Sequence, residues 1–174
     1  MKHFLIVVDM QKDFVDGALG TPEAVAIVPA VCDRIRAFGG EVLVTYDSHP
    51  EHYLDTAEGQ KLPVPHCIKG TPGWELDAAV AAVLAERPYR AIEKPTFGSV
   101  ALPMIVQELA AGEDFDVTLI GLCTDICVVS NALLLKAHFP ERRITVDAAC
   151  CAGVTPESHR AALTTMGMCQ IDIV

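Results

Sequence analysis

Apolar positions in this chain fall into two periods that alternate from end to end. Residues 4–8, Phe-Leu-Ile-Val-Val, form an unbroken apolar run, the pattern of a strand buried on both faces. Ile27, Val28, Val31, Ile35 and Phe38 follow at helical spacing, and Gly39-Gly40 stop that helix. Short apolar runs at 42–46, 91–93, 117–120, 144–146 and 171–174 predict five further strands. Between them, Leu76, Ala79, Val80, Val83 and Leu84 make an amphipathic helix, and residues 102–110 and 126–137 read as two more. Thr155-Pro156-Glu157 opens a last helix, with a capping threonine and proline at the first helical position, that ends near Gly167. This alternation predicts right-handed crossovers and an α/β fold: a three-layer α/β/α sandwich around a doubly wound, parallel sheet of six strands.

In such sheets ligands bind at the carboxyl ends of the strands, near the switch in strand order. The residues that follow each apolar run are therefore the ones to inspect: Asp9, Asp47, Glu93-Lys94, the segment 121–127, and Asp147. One irregular stretch, residues 47–73, exceeds the usual loop length and holds three of the six histidines. A segment of that kind is functional or is ordered by a ligand.

Composition narrows the class. With 174 residues, 51% of them apolar and 21% charged, the chain fits one globular domain, residues 1–174, with one ordinary core. A net charge of −10 and no run of Lys or Arg disfavour nucleic acid, because the protein repels a polyanion. No apolar run approaches the roughly 20 residues of a membrane span. The opening Met-Lys-His is charged too early for a signal peptide, so a cytoplasmic location is expected. The seven cysteines then read as reduced thiols rather than a disulfide framework. There is no Walker loop, no Gly-x-Gly-x-x-Gly after the first strand and no Gly-x-Ser-x-Gly, which disfavours nucleotide-dependent and serine-elbow chemistry.

Several side chains could carry chemistry, each with a plainer alternative. Cys127 falls in the first turn of a helix, where free N–H groups and the dipole favour thiolate and could bind an oxyanion. It could equally be a small buried hydrophobe. Cys123, Cys150, Cys151 and Cys169 lie in or beside strands and read as core. Asp9 ends an apolar strand as either an edge carboxylate or a general acid/base, and Asp13 competes with it or caps a turn. Lys94 is either a solvated lysine or the ammonium that keeps a neighbouring thiolate and carboxylate charged. Asp47-Ser48-His49 with His66 offers oxygen and imidazole ligands suited to zinc, manganese or iron, with Glu58 and His52 as candidate fourth ligands. The alternative is a hydrated polar loop. His3, His138 and His159 lack partners at ligand spacing and read as surface or capping residues.

Together these pieces resemble the isochorismatase-like cysteine hydrolases, and most closely their nicotinamidase/pyrazinamidase branch. Leu5-Ile6-Val7-Val8-Asp9-Met10-Gln11-Lys12-Asp13-Phe14 is similar to the family's first motif. Asp47-Ser48-His49-Pro50 and Val64-Pro65-His66-Cys67 resemble its metal segment, Glu93-Lys94-Pro95-Thr96-Phe97 its lysine motif, and Gly121-Leu122-Cys123-Thr124-Asp125-Ile126-Cys127-Val128 its nucleophile motif. The four stand in the family's order across nearly the whole chain.

The resemblance implies a Rossmann-like sandwich and a triad of Asp9, Lys94 and Cys127. It implies an oxyanion hole from the N–H groups of Cys123 and Cys127, with a cis peptide between Leu122 and Cys123. It also implies a divalent metal, zinc first, on Asp47, His49 and His66, which in this branch holds the substrate's pyridine nitrogen, and no organic cofactor. The expected reaction is nicotinamide to nicotinic acid plus ammonia, through a thioester, in NAD salvage. The resemblance further implies a small-molecule partner and a homo-oligomer.

Two departures fall on the pocket walls. The branch commonly has Trp where this chain has Ser48, and Pro95-Thr96-Phe97-Gly98-Ser99 replaces an aromatic- and serine-rich stretch. Phe14 and Phe97 are the expected stacking or packing groups, ahead of Tyr53 and Trp74, and all four could equally be core. The open alternatives are another C–N hydrolase acting on a ureido, carbamoyl or aliphatic amide, an isochorismatase-type vinyl-ether hydrolase, and a non-catalytic binding subunit.

Overall fold

The computed structural model describes all 174 residues, Met1–Val174. Six strands form one sheet: β1 (Lys2–Val8), β2 (Glu41–Asp47), β3 (Arg90–Lys94), β4 (Phe115–Leu122), β5 (Arg143–Ala152) and β6 (Asp172–Ile173). Their order is β3-β2-β1-β4-β5-β6 and every pairing is parallel, so the doubly wound sandwich is the fold. Strand order reverses between β1 and β4, and the ends of these two strands open the crevice where the chemistry sits.

The pleat explains the unbroken apolar runs. Phe4, Ile6 and Val8 of β1 face one core while Leu5 and Val7 face the other. The first core is closed by α5 (Leu102–Ala110), α6 (Val129–His138) and α7 (Pro156–Met168), through residues such as Val106, Leu135 and Met166. The second is closed by α2 (Pro22–Ala37) and α4 (Ala78–Leu84), through Val31, Ile35, Val83 and Leu84. Thr21 caps α2 by accepting from Ala24 N–H, and Thr155 forms a capping box with Ser158 at the head of α7.

Several expected boundaries move. β5 runs to Ala152 rather than stopping at Val146, so Asp147 lies within the strand and not at its end. The predicted irregular stretch contains a 3₁₀ turn (Tyr53–Asp55) and the short α3 (Ala57–Lys61), while α1 (Lys12–Val15) is a single turn after β1. Ahead of α6, residues Thr124–Val128 form one π turn rather than α-helix. Cys169 is exposed at the end of α7, not core, because the strand that follows begins only at Asp172. No helix is long and apolar enough to cross a membrane.

Candidate active site

Parallel registry places the ends of four strands side by side. Val8 pairs with both Thr45 and Gly121, and Asp47 pairs with Lys94. Asp9, Asp47, Lys94 and Cys123 therefore emerge from one edge of the sheet. Gly121 is needed there: its φ is +114, and a Cβ would run into the Val8 carbonyl. Asp9 itself has φ +46, the left-handed region that Asp tolerates better than most residues. The peptide between Leu122 and Cys123 is cis.

Asp9, Lys94 and Cys127 come together in the interior, at 0%, 1% and 4% exposure. Lys94 Nζ lies 2.6 Å from Asp9 Oδ2, 3.3 Å from Asp47 Oδ1 and 3.5 Å from Cys127 Sγ, and it donates to the Thr96 carbonyl at 3.0 Å. Asp9 Oδ1 accepts a 2.6 Å hydrogen bond from the Thr45 hydroxyl. Burial pushes the Asp9 carboxyl above its usual range, although Lys94 pulls it back. Burial would lower Lys94, but Asp9, Cys127 and Asp47 outweigh it and push the ammonium well up.

Cys127 departs from expectation. A helix terminus predicts a thiol shifted toward thiolate, yet burial and the Asp9 charge push this thiol well above its ordinary value. Cys123 is half-buried, lines the pocket beside it, and is pushed up to about 12 by the same burial.

The second cluster starts at Asp47, the last residue of β2. His49 N–H donates to the Cys67 carbonyl and Lys69 N–H to the His49 carbonyl, so the loop pairs back and sets His66 beside His49. Asp47, His49 and His66 are all buried, and one ligand atom from each lies within 4.8 Å of the others. His66 Nδ1 meets the Val64 carbonyl at 2.8 Å, which leaves Nε2 free to face the cluster. His49 Nε2 is 2.9 Å from Asp47 Oδ2, but off the line of a hydrogen bond, and it has no partner. A buried orphan nitrogen beside a carboxylate and a second imidazole fits a borderline divalent cation.

Glu58 Oε1 lies 3.7 Å from both histidine Nε2 atoms, whereas His52 is exposed and does not join them. Burial would lift Asp47, but the close His49 imidazole and Lys94 hold it below its usual range. One carboxylate thus touches both clusters.

The walls are mixed. Phe14 packs edge-on against His66 at 5.5 Å and lines an inner cavity of about 230 Å³ with Leu19, Leu62, Leu122, Cys123 and Ile126. Phe97 is 43% exposed and lines an outer cavity of about 490 Å³ with Glu58, Lys61 and Thr96. Leu62 and Ile126 belong to both cavities. Tyr53 is fully buried behind the two histidines and donates to the Leu62 carbonyl, so it supports the wall instead of forming it. Trp74 stacks on Tyr46 and donates to the Ser48 hydroxyl, away from both cavities.

Asp13 does not compete with Asp9. It accepts from Cys67 and Ala18 N–H and pins the histidine loop. Sequence reasoning missed three buried polar residues. Gln11 clamps Asp47 through its N–H and carbonyl, Thr45 holds Asp9, and Asn131 joins the Cys127 carbonyl to Ser99 N–H. For Thr45 and Asn131 the available signal is a polar residue inside an apolar strand or helix, which gives no direction; Gln11, in a polar turn, offers none. His159 is likewise more than a surface group: its Nδ1 meets the buried Thr124 hydroxyl.

Comparison with known proteins places this geometry. The chain is 29% identical over 183 residues to the nicotinamidase/pyrazinamidase of Mycobacterium tuberculosis, covering 98% of this chain and 97% of that protein. The crystal structure of nicotinamidase/pyrazinamidase PncA from Bacillus subtilis superposes with a TM-score of 0.86 at 28% identity, over 100% of both chains. The pyrazinamidase of Pyrococcus horikoshii, solved in complex with zinc, gives a TM-score of 0.80 at 28% identity, over 100% of this chain and 99% of that one. The isochorismatase domain model matches residues 3–173, nearly the whole chain, and the chain belongs to the isochorismatase family.

Proposed function

We propose that this chain, acting as one hydrolase domain, converts nicotinamide to nicotinic acid and ammonia through a thioester on Cys127. It is a hydrolase of the isochorismatase type acting on amide C–N bonds. The observation that carries the finer reading is the shared Lys94. Its ammonium touches Asp9, Cys127 and Asp47 at once, so a nucleophile, a base and a cation site lie within one side chain's reach.

The thiol is protonated at rest, so its proton leaves as the bond forms. Asp9 takes that proton from Sγ while sulfur attacks the carboxamide carbon. Lys94 holds the carboxylate in place and balances charge around the sulfur. The N–H groups of Cys123 and Cys127 hold the tetrahedral oxyanion. The C–N bond then breaks, and Asp9 returns the proton to nitrogen, which leaves as ammonia. Asp9 next takes a proton from water as the oxygen attacks the thioester. The C–S bond breaks, the acid departs, and sulfur regains its proton.

Asp47, His49 and His66, with Glu58 in reach, would hold a divalent ion, zinc by analogy with the Pyrococcus relative, that supplies a Lewis-acid anchor for a ring nitrogen. Phe14 flanks His66 and would face the ring.

The test is ammonia release from nicotinamide by metal-loaded protein, with Cys127→Ala as control. Release that vanishes in the control supports the reading. Release that survives it removes the thioester. No release from folded, metal-loaded protein removes nicotinamide as the substrate and turns attention to other small amides.

A further inference from the structure

The turn that carries the thiol leans on a part of the fold the reaction does not touch. Thr124 lies between Cys123 and Cys127 and is fully buried. Its hydroxyl has one partner, Nδ1 of His159 in α7, at 2.8 Å. Next to it, both carboxylate oxygens of Asp125 accept from Val154 N–H at 3.2 Å. The segment from Val154 to His159 therefore grips the π turn at two adjacent residues. The close fit is built in: a Cβ at Gly153 would lie 2.9 Å from the His159 Cβ. On its other side His159 lines an open groove of about 310 Å³, with Glu23, Arg160 and Cys151 in its wall.

We propose that His159 is a positioning residue: through the Thr124 hydroxyl it fixes the turn whose N–H groups, at Cys123 and Cys127, receive the oxyanion. The proposal rests on the reading of function above. The Thr124 hydroxyl can donate to Nδ1 or accept from it, so the ring holds the turn in either protonation state.

The charged and titratable groups around the ring are few. Asp125 on the turn favours the protonated form, Arg160 on α7 opposes it, and Glu23 from α2 and the Cys151 thiol from β5 complete the groove. Burial pushes His159 below its ordinary 6.5, so the neutral ring prevails at neutral pH.

The test compares metal-loaded wild type, His159→Leu and His159→Asn. Asparagine offers an acceptor near the Nδ1 position and does not titrate. For ammonia release from nicotinamide, His159→Leu is expected to lower kcat about tenfold or more with KM nearly unchanged, the size expected for a misplaced oxyanion donor. His159→Asn is expected to recover most of kcat at pH 7.5. Unchanged kcat in His159→Leu, or equal impairment of both variants, overturns the proposal.

If His159→Leu does not fold, Thr124→Val, which removes the other end of the bond, is held to the same kcat and KM criteria. If wild type releases no ammonia, the assigned reaction fails, and the rate of Cys127 alkylation by iodoacetamide still reads the turn. A slower rate in His159→Leu that His159→Asn restores supports positioning, and equal rates in all three refute it.

Discussion

Lys94→Met keeps the length and burial of the stem and deletes the ammonium. At 2.6 Å from Asp9 and 3.3 Å from Asp47, that charge attracts the two carboxylates by about 6 and about 5 kcal/mol at an effective dielectric of about 20. Desolvation of all three groups cancels much of this, and removing one partner of a buried pair costs a net of roughly 3–5 kcal/mol. Domains have about 5–15 kcal/mol of stability in all, so the variant should fold with a narrow margin.

The loss should depend on pH in a defined direction. Asp9 already sits above its ordinary 3.8 and rises further without the ammonium. Both folded proteins keep the Asp9 proton until the pH passes the wild type's own raised value; above it only the variant keeps it, so the penalty opens there and grows with pH. Urea unfolding of both proteins in chelator, where no bound ion offsets Asp47, measures the difference. We expect roughly 3–5 kcal/mol at pH 7.5 and clearly less at pH 4.5. A difference below about 1 kcal/mol at pH 7.5, or one equal at the two pH values, would refute the charge balance described for the site.

Three other perturbations probe separate parts of the structure. His49→Ala and His66→Ala should each lower bound zinc after dialysis by at least about tenfold, read by elemental analysis, and full metal content in both would refute the ligand set. Asn131→Ala removes the partners of Ser99 N–H and the Cys127 carbonyl, and should cost about 1–3 kcal/mol in urea unfolding together with reduced turnover. Wild-type stability and rate would show that this bridge holds nothing. Gly121→Ala meets both a φ of +114 and the Val8 carbonyl, so it should lose at least about 1–3 kcal/mol. A neutral result would mean that β1 and β4 do not approach as closely as described.

Much of the architecture was legible because burial on two faces leaves a plain mark. The run at 4–8 is β1, and the residues after the runs, Asp9, Asp47 and Lys94, stand where a doubly wound sheet puts its ligands. What the sequence hid was length and local geometry. Nothing in Asp-Ala-Ala-Cys-Cys-Ala says that β5 continues to Ala152, since the strand is extended by pairing with the end of β4. The π turn at Thr124–Val128 and the back-pairing of His49 with Ile68 are likewise tertiary outcomes. Gln11, Thr45 and Asn131 were missed for the same reason. Thr45 and Asn131 are polar residues in apolar elements and Gln11 stands in a polar turn, and the worth of each depends on which groups it reaches.

The thiol shows where local reasoning fails most clearly. A helix terminus stabilises a negative charge by about 0.3–1 kcal/mol, up to about 2 when partly buried. Full burial can move an ionisable group by about 3–5 pKa units, which is several kcal/mol. At Cys127 burial is nearly complete, and the nearest anion, Asp9, also opposes thiolate. The larger effects win: burial opposes thiolate more than the dipole favours it. Under the proposed mechanism a buried thiol between a carboxylate and an ammonium still reacts, because the proton would move only to Asp9 and the charge that appears would pass at once to the oxyanion donors. On this view the site avoids holding a free thiolate in a dry interior and forms the nucleophile only against a seated carbonyl.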